Sequence, residues 1–300
     1  MTRRFAIPGR APRRSRAQSG FTLVEVMVSL ALGLVVVGAL LTAWMASSQS
    51  GRHTDALVQM TEDATLALGV MRQQAAQAGF SAAHGTAGTG PLLHAFPPVL
   101  GCAGAGFGDL QAGVLAPVGC ASAAGADAPD AIEIAYEASM PGASASNGIL
   151  GGSTGDQPLD CLGNSFPVTH DGANGDYYLQ DSKFYVSGGS LYCHGPGNAA
   201  GAAVVQNVET LKVRYGLSLL AGSAQIAYYD AAPAIGSPLW ANVVAVSLCV
   251  QVRSAARVLA DAARPTLGNY VDCAGVRRPS TDGYLHRSFA TTIVLQNRLP

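Results

Sequence analysis

Apolar residues run almost unbroken from Phe21 to Ala46, and no charged side chain occurs between Val26 and Gly51. At ~1.5 Å per residue, such a run is long enough to cross a bilayer as one helix. After Gly51 the pattern changes: Leu57, Met60, Ala64, Ala67, Met71, Ala75 and Ala78 recur at alternating spacings of three and four, which is the signature of one apolar helix face. Asp55, Gln59, Glu62, Asp63, Arg72, Gln73 and Gln77 fall mostly elsewhere on the wheel. The pattern predicts one long helix over residues 21–79, on the order of 85 Å in length. Its first half, 21–46, is apolar all round and faces lipid or other helices. Its continuation, 47–79, carries a stripe that packs on the following domain. No proline interrupts it, Gly33, Gly38, Gly51 and Gly69 are soft points, and Gly79 suits a C-cap. The stripe is too short to define a coiled coil.

Downstream the period falls to two. Ile132, Ile134 and Tyr136 alternate in a half-buried strand over 130–136. Residues 183–193 read as a hairpin turning at Gly188-Gly189. One strand over 204–215 puts Leu211, Val213 and Tyr215 on a shared face. Another over 242–253 aligns Val244, Val246, Leu248, Val250 and Val252, with Cys249 opposite, and a last over 288–296 aligns Phe289, Thr291, Ile293 and Leu295. Residues 81–129 and 138–176 have the Gly, Ala, Pro and Ser content of loops. The predicted fold is α+β: an N-terminal helix packed on an antiparallel β-sheet domain over 80–300, loop-rich to about 180, with the sheet at 183–298.

Charge adds a leader to this picture. Arg3, Arg4, Arg10, Arg13, Arg14 and Arg16 precede the apolar run, and no acid occurs in residues 1–20. Such a cluster stays on the cytoplasmic side of a membrane. An ordinary signal peptide places its small residues after the apolar core, whereas here Gly20 meets Phe21 before it. A plain anchor would explain neither that junction nor Glu25, the one charge inside the apolar segment. Acids near the middle of a membrane helix cost on the order of 2.5–3.5 kcal/mol; Glu25 lies nearer the edge but still calls for a partner.

The stretch Gly20-Phe21-Thr22-Leu23-Val24-Glu25 and the apolar helix after it resemble the class III signal of type IV prepilins and of type II secretion pseudopilins. The resemblance implies cleavage of leader 1–20 between Gly20 and Phe21 by prepilin peptidase, N-methylation of Phe21, and retention of the helix. It implies that Glu25 pairs with the terminal amine of a neighbouring subunit, where low dielectric strengthens attraction. Residues 208–216, 240–246 and 287–292, with Asn297 near the end, look like PilW-type minor pilins; residues 81–180 match no pattern. This second likeness implies a subunit of a tip-associated complex that primes pilus assembly and supports adhesion, twitching or DNA uptake. The implied partners are prepilin peptidase, other minor pilins, the major pilin, the inner-membrane assembly platform and a tip adhesin. The implied location is the inner membrane, single-pass with the head periplasmic, and then the pilus on the cell surface. The J-type pseudopilin of type II secretion shares the plan and is the alternative. An anchored DNA- or surface-binding module is a third reading.

Removal of the leader takes six of eighteen basic residues and leaves twelve against nineteen acids. An acidic mature chain weighs against nucleic acid, which calls for a basic stripe with interleaved aromatics. No Lys or Arg occurs between Arg72 and Lys183, a span with ten acids, while seven Arg face three Asp from Arg253 onward. These blocks either neutralise each other within the domain or meet between subunits; the first is favoured. The six cysteines, Cys102, Cys120, Cys161, Cys193, Cys249 and Cys273, contain no C-x-x-C pair and fit disulfides in an exported domain. Fifteen pairings exist; the sequential one closes three Gly-rich loops.

No catalytic site, cofactor or metal centre is expected. Residues 151–155 match G-x-S-x-G around Ser153, but a nucleophile elbow needs a strand before and a helix after, and nothing fixes His170, His194 or His286 near it. Asp171, Asn174 and Asp176 could hold calcium loosely, yet their spacing departs from the EF-hand and suits ordinary turns.

Overall fold

The computed structural model describes residues 20–82, 86–87, 90–91, 93, 95–110, 119–122, 124–125, 127–138, 153–154, 157–170, 176–197, 200–218, 226–229, 237–258 and 268–298. Two compact units divide the chain, Met1–Arg52 and His53–Pro300. Helix α1 covers Leu23–Gln77.

Within the second unit the α1 stripe is buried as its spacing requires. Met60, Ala64, Ala67, Met71, Ala75 and Ala78 are all at most 1% exposed and join one core with both main sheets. Four of these six are alanines, so the helix backbone lies close to the sheets. Gln74, placed among them, is buried too, and its Oε1 accepts hydrogen bonds from Tyr136 Oη at 3.0 Å and Ser182 Oγ at 3.4 Å. The helix ends at Gly79, whose φ of 72° suits glycine. The Gly79 N–H leaves the helix and donates to Ala135 O at 2.8 Å. Asn297, at the far end of the chain, donates from Nδ2 to Gln77 O at 3.2 Å and Ala78 O at 3.5 Å. Side chains thus satisfy carbonyls that a helix end leaves open.

The strands are β1 (Val99–Cys102), β2 (Ala131–Ala138), β3 (Tyr178–Ser187), β4 (Ser190–His194), β5 (Ala202–Gln206), β6 (Val208–Ser218), β7 (Ile226–Tyr229), β8 (Val243–Arg253), β9 (Asn269–Val271), β10 (Arg277–Pro279) and β11 (His286–Val294). Strands β1 to β5 form an antiparallel meander in chain order. A second antiparallel sheet has the order β7-β6-β8-β11, and β9-β10 is a hairpin. The β3–β4 hairpin turns at Gly188-Gly189, where φ is 56° and 75°, the double positive φ of a two-residue turn whose twist suits the strands.

Four expectations need correction. The sheet region begins well before residue 183: β1, β2 and the start of β3 belong to the meander, and β1 lies inside the expected 81–129 loop. Strand β2 is buried on both faces rather than half-buried, because the Glu133 face is also covered. The single strand expected over 204–215 is two, broken at Asn207 with φ of 61°. There the chain leaves one sheet for the other, and Asn207 Nδ2 donates to Asp63 Oδ2 of α1 at 3.2 Å. Finally, β11 starts at His286 rather than Ser288.

One ion pair among the described residues, Arg278 with Asp127, joins the acidic stretch to the C-terminal arginines. Both lysines pair with the acidic stretch: Lys212 Nζ lies 3.2 Å from Asp130 Oδ1, and Lys183 Nζ lies 2.7 Å from Asp181 Oδ2 and 3.2 Å from Glu133 Oε1. Arg278 reaches Asp127 at 3.0 Å and Asp272 at 2.9 Å. Asp130 is a junction between the sheets: it accepts the N–H of Gly104 at 2.8 Å and of Val213 in β6 at 3.0 Å.

Candidate functional site

The leader residues 1–19 lie outside the described residues, and Gly20 is the first described. Phe21 is 81% exposed. Thr22 caps α1: its Oγ1 accepts the Glu25 N–H at 3.3 Å, and its carbonyl accepts the Val26 N–H at 3.2 Å. A threonine cap with glutamate three residues on is the sequence form of a capping box. It also sets an acid in the first helical turn, where the helix dipole favours negative charge. Ser29 Oγ donates to Glu25 O at 2.7 Å, which satisfies a hydroxyl within its own helix.

Every residue from Gly20 to Ser47 is exposed in the isolated chain. The list includes Leu23, Leu34, Val35 and Trp44, each at least 69% exposed. α1 is the one helix among the described residues long and apolar enough to cross a membrane. A continuous apolar surface of this size marks a membrane or protein contact. The segment is an apolar rod with one carboxylate, Glu25, in its first turn.

The cysteines pair in chain order, Cys102–Cys120, Cys161–Cys193 and Cys249–Cys273. Ser153 lies in a two-residue strand, Ser153–Thr154, that pairs with Gln157–Pro158, so a strand rather than a helix comes next among the described residues. His170 Nδ1 lies 2.9 Å from Asp176 Oδ2. Asp171 and Asn174, the other two members of the calcium candidate, fall outside the described residues.

Two polar clusters escape the sequence reading. Lys183, Glu133 and Asp181 form one, all buried. Burial pushes the Glu133 carboxyl up from 4.5 to about 7 against the pull of Lys183. Burial likewise raises Asp181, while for Lys183 the two carboxylates outweigh burial and raise the ammonium. Glu209, Asp282 and His286 form the other, with ligand-type atoms within 4.8 Å of one another. The one available signal for the first was a lysine on a strand in a chain with only two lysines.

The family described as Type IV Pilus-assembly protein W matches residues 176–297, a span that holds β3 to β11. The prokaryotic N-terminal methylation motif matches residues 15–41, across the Gly20-Phe21 junction and Glu25. A comparison with curated proteins gives no match. Among solved structures, the type IV-like pilin TTHA1219 from Thermus thermophilus aligns over 81% of this chain and 98% of its own, at 12% identity and a TM-score of 0.37. The methylation motif on an exposed apolar helix, and antiparallel sheets packed on that helix's second half, define a type IV pilin-like protein. Within that class, residues 176–297 resemble the pilus-assembly protein W family.

Proposed function

We propose that the chain is a structural minor pilin of the type IV pilus, without catalytic activity, which works in a tip-associated complex that initiates pilus assembly. The observation that carries the reading is the exposed apolar α1 behind a methylation motif, with Glu25 as its sole charge up to Gly51. Prepilin peptidase removes residues 1–20, Phe21 is methylated on its new amine, and residues 21–46 hold the subunit in the inner membrane with the head in the periplasm. On assembly the helix enters a bundle with other minor pilins and the major pilin at the assembly platform. There Glu25 faces the Phe21 amine of a neighbour, a pairing that low dielectric strengthens. The match to the pilus-assembly family favours this reading over the J-type pseudopilin. Pairing of Lys212 and Arg278 with local acids argues against a nucleic-acid surface.

Intact mass and N-terminal sequencing of the protein from cells test the processing: the expected product begins at N-methylated Phe21. A product that keeps the arginine leader, or lacks the helix, overturns the proposal. For Glu25→Ala, incorporation into pili is expected to fall at least about tenfold with the head still folded, since breaking a buried ion pair costs about 3–5 kcal/mol. Unchanged pilus number and tip-complex recovery would refute the assembly role.

A further inference from the structure

His286 opens β11 with its ring held on both sides. Nδ1 lies 2.7 Å from Glu209 Oε2, on the bulge at the start of β6, and Nε2 lies 3.0 Å from Asp282 Oδ1, on the turn that precedes β11. The ring face stacks on Tyr270 of β9, with centroids 4.8 Å apart. The His286 side chain is 6% exposed, against 23% for Glu209 and 43% for Asp282. A neutral imidazole has one N–H and one lone pair. With a carboxylate at each nitrogen, only the doubly protonated ring donates to both; a neutral ring sets a lone pair against an anion.

The geometry points to a proton-operated clasp: protonated His286 pins the turn before β11 to the four-stranded sheet through Asp282 and Glu209, and loss of the proton frees the turn on its Asp282 side.

Asp282 is the side that opens because Glu209 has a second donor: Gln251 Nε2 of β8 gives it a hydrogen bond at 2.8 Å. Asp282 Oδ1 also accepts the Tyr284 N–H at 3.1 Å, which ties it to its own turn rather than to the sheet. The other charged groups about the site are few. Arg253 of β8 lowers Glu209 by its charge and stacks on Tyr284 at 4.8 Å, and Arg257 approaches the same ring at 5.7 Å. Arg278 of β10 and Asp272 act on Tyr270 and pair with each other. Among the described residues, two carboxylates therefore touch the ring and no cation does. Burial pulls the His286 pKa down, but the hydrogen bonds it donates to Glu209 and Asp282 outweigh it and the net shift is upward. Burial would raise both acids, yet their bonds to His286 hold Glu209 and Asp282 below the ordinary range. The clasp is thus closed from below the usual carboxylate range up to above the usual histidine value. It opens as pH rises through the elevated His286 midpoint. In an exported domain that pH is set outside the cytoplasm.

The test uses the full chain in detergent micelles. Histidine-labelled NMR is expected to show His286 titrating above the ordinary histidine value of 6.5, and Asp282→Asn is expected to lower the His286 midpoint. Hydrogen exchange, corrected for the intrinsic pH dependence, reads the turn itself. Protection of residues 280–286 should fall as pH rises from the ordinary histidine value to the His286 midpoint, by up to about tenfold per unit, and level off above it, and His286→Gln should flatten that dependence. A His286 midpoint at or below the ordinary histidine value of 6.5 overturns the clasp. So does pH-independent protection of the wild-type turn, or a His286→Gln protein that keeps the same pH dependence. These readouts concern the head domain and do not depend on pilus assembly.

Discussion

Lys183→Met is expected to destabilise the second unit by about 3–5 kcal/mol at pH 8 and by clearly less at pH 5. Lys183 is 1% exposed and is the cation shared by Glu133, 0% exposed, and Asp181, 6% exposed. Methionine fills the volume but leaves two buried carboxyls without their counter-ion. Neither Glu133 oxygen accepts a hydrogen bond of good geometry from the described residues, so the carboxyl depends on charge attraction or on a proton. The pH sign follows from the direction of the shift. The folded Glu133 pKa, about 7, lies above its ordinary 4.5. Its contribution to stability is therefore full below about pH 4.5 and is lost as pH rises through about 7. Without Lys183 the attraction that pulls Glu133 down disappears, and the loss steepens. Urea unfolding of wild type and variant at both pH values measures this. A variant whose midpoint drops equally at pH 5 and pH 8 would show that the cluster is not linked to protonation. In wild type, Glu133→Gln should reduce the decline of stability between pH 5 and pH 8.

The paired variant Cys161→Ser with Cys193→Ser is expected to cost about 3–4 kcal/mol, from the chain-entropy value for a loop of this length. The bridge spans 32 residues, and its cysteines are 1% and 0% exposed within the main core. It fixes the segment before β3 to β4, next to Asp160, whose carboxylate accepts N–H groups of Leu162, Asn164 and Gly197 at 2.9–3.1 Å. The bridge Cys102–Cys120 spans 18 residues and has one exposed cysteine, Cys120; its removal should cost less. Thermal and urea midpoints of the two paired variants give the ranking, and the reverse order would contradict the account.

What could be read ahead of the structure was local. The stripe Met60 to Ala78 was legible because helical period alone decides which residues share a face, and both Ala64 and Ala75 are at 0% exposure. Gly188-Gly189 was legible because a two-residue turn with positive φ selects glycine. The Gly20-Phe21 junction and Glu25 came from a motif a few residues long. The break at Asn207 was hidden because β-branched residues, Val204 and Val205 before it and Val208 after it, continue across it, and the change of sheet is a tertiary event. Strand β1 was hidden by its brevity: four residues within a Gly-rich segment carry too little periodicity. The Lys183 and His286 clusters were hidden for a different reason. Glu133 and Lys183 lie directly opposite across β2 and β3, fifty residues apart, and Glu209 meets His286 at a separation of 77. Register between distant strands sets those meetings, and no single segment encodes it.

Each disulfide closes a nearby stretch, at separations of 18, 32 and 24 residues, and α1 contains no cysteine. No covalent bond other than the backbone therefore fastens α1 to the sheets. A tensile load applied along this helix is borne in shear by the six stripe residues, together with the Gln74, Gly79, Asn297 and Asn207 hydrogen bonds. Because many weak dispersion contacts resist in parallel, failure should come all at once by sliding rather than residue by residue by peeling. The bridged loops would stay intact after such a rupture, ready for the rod to seat again.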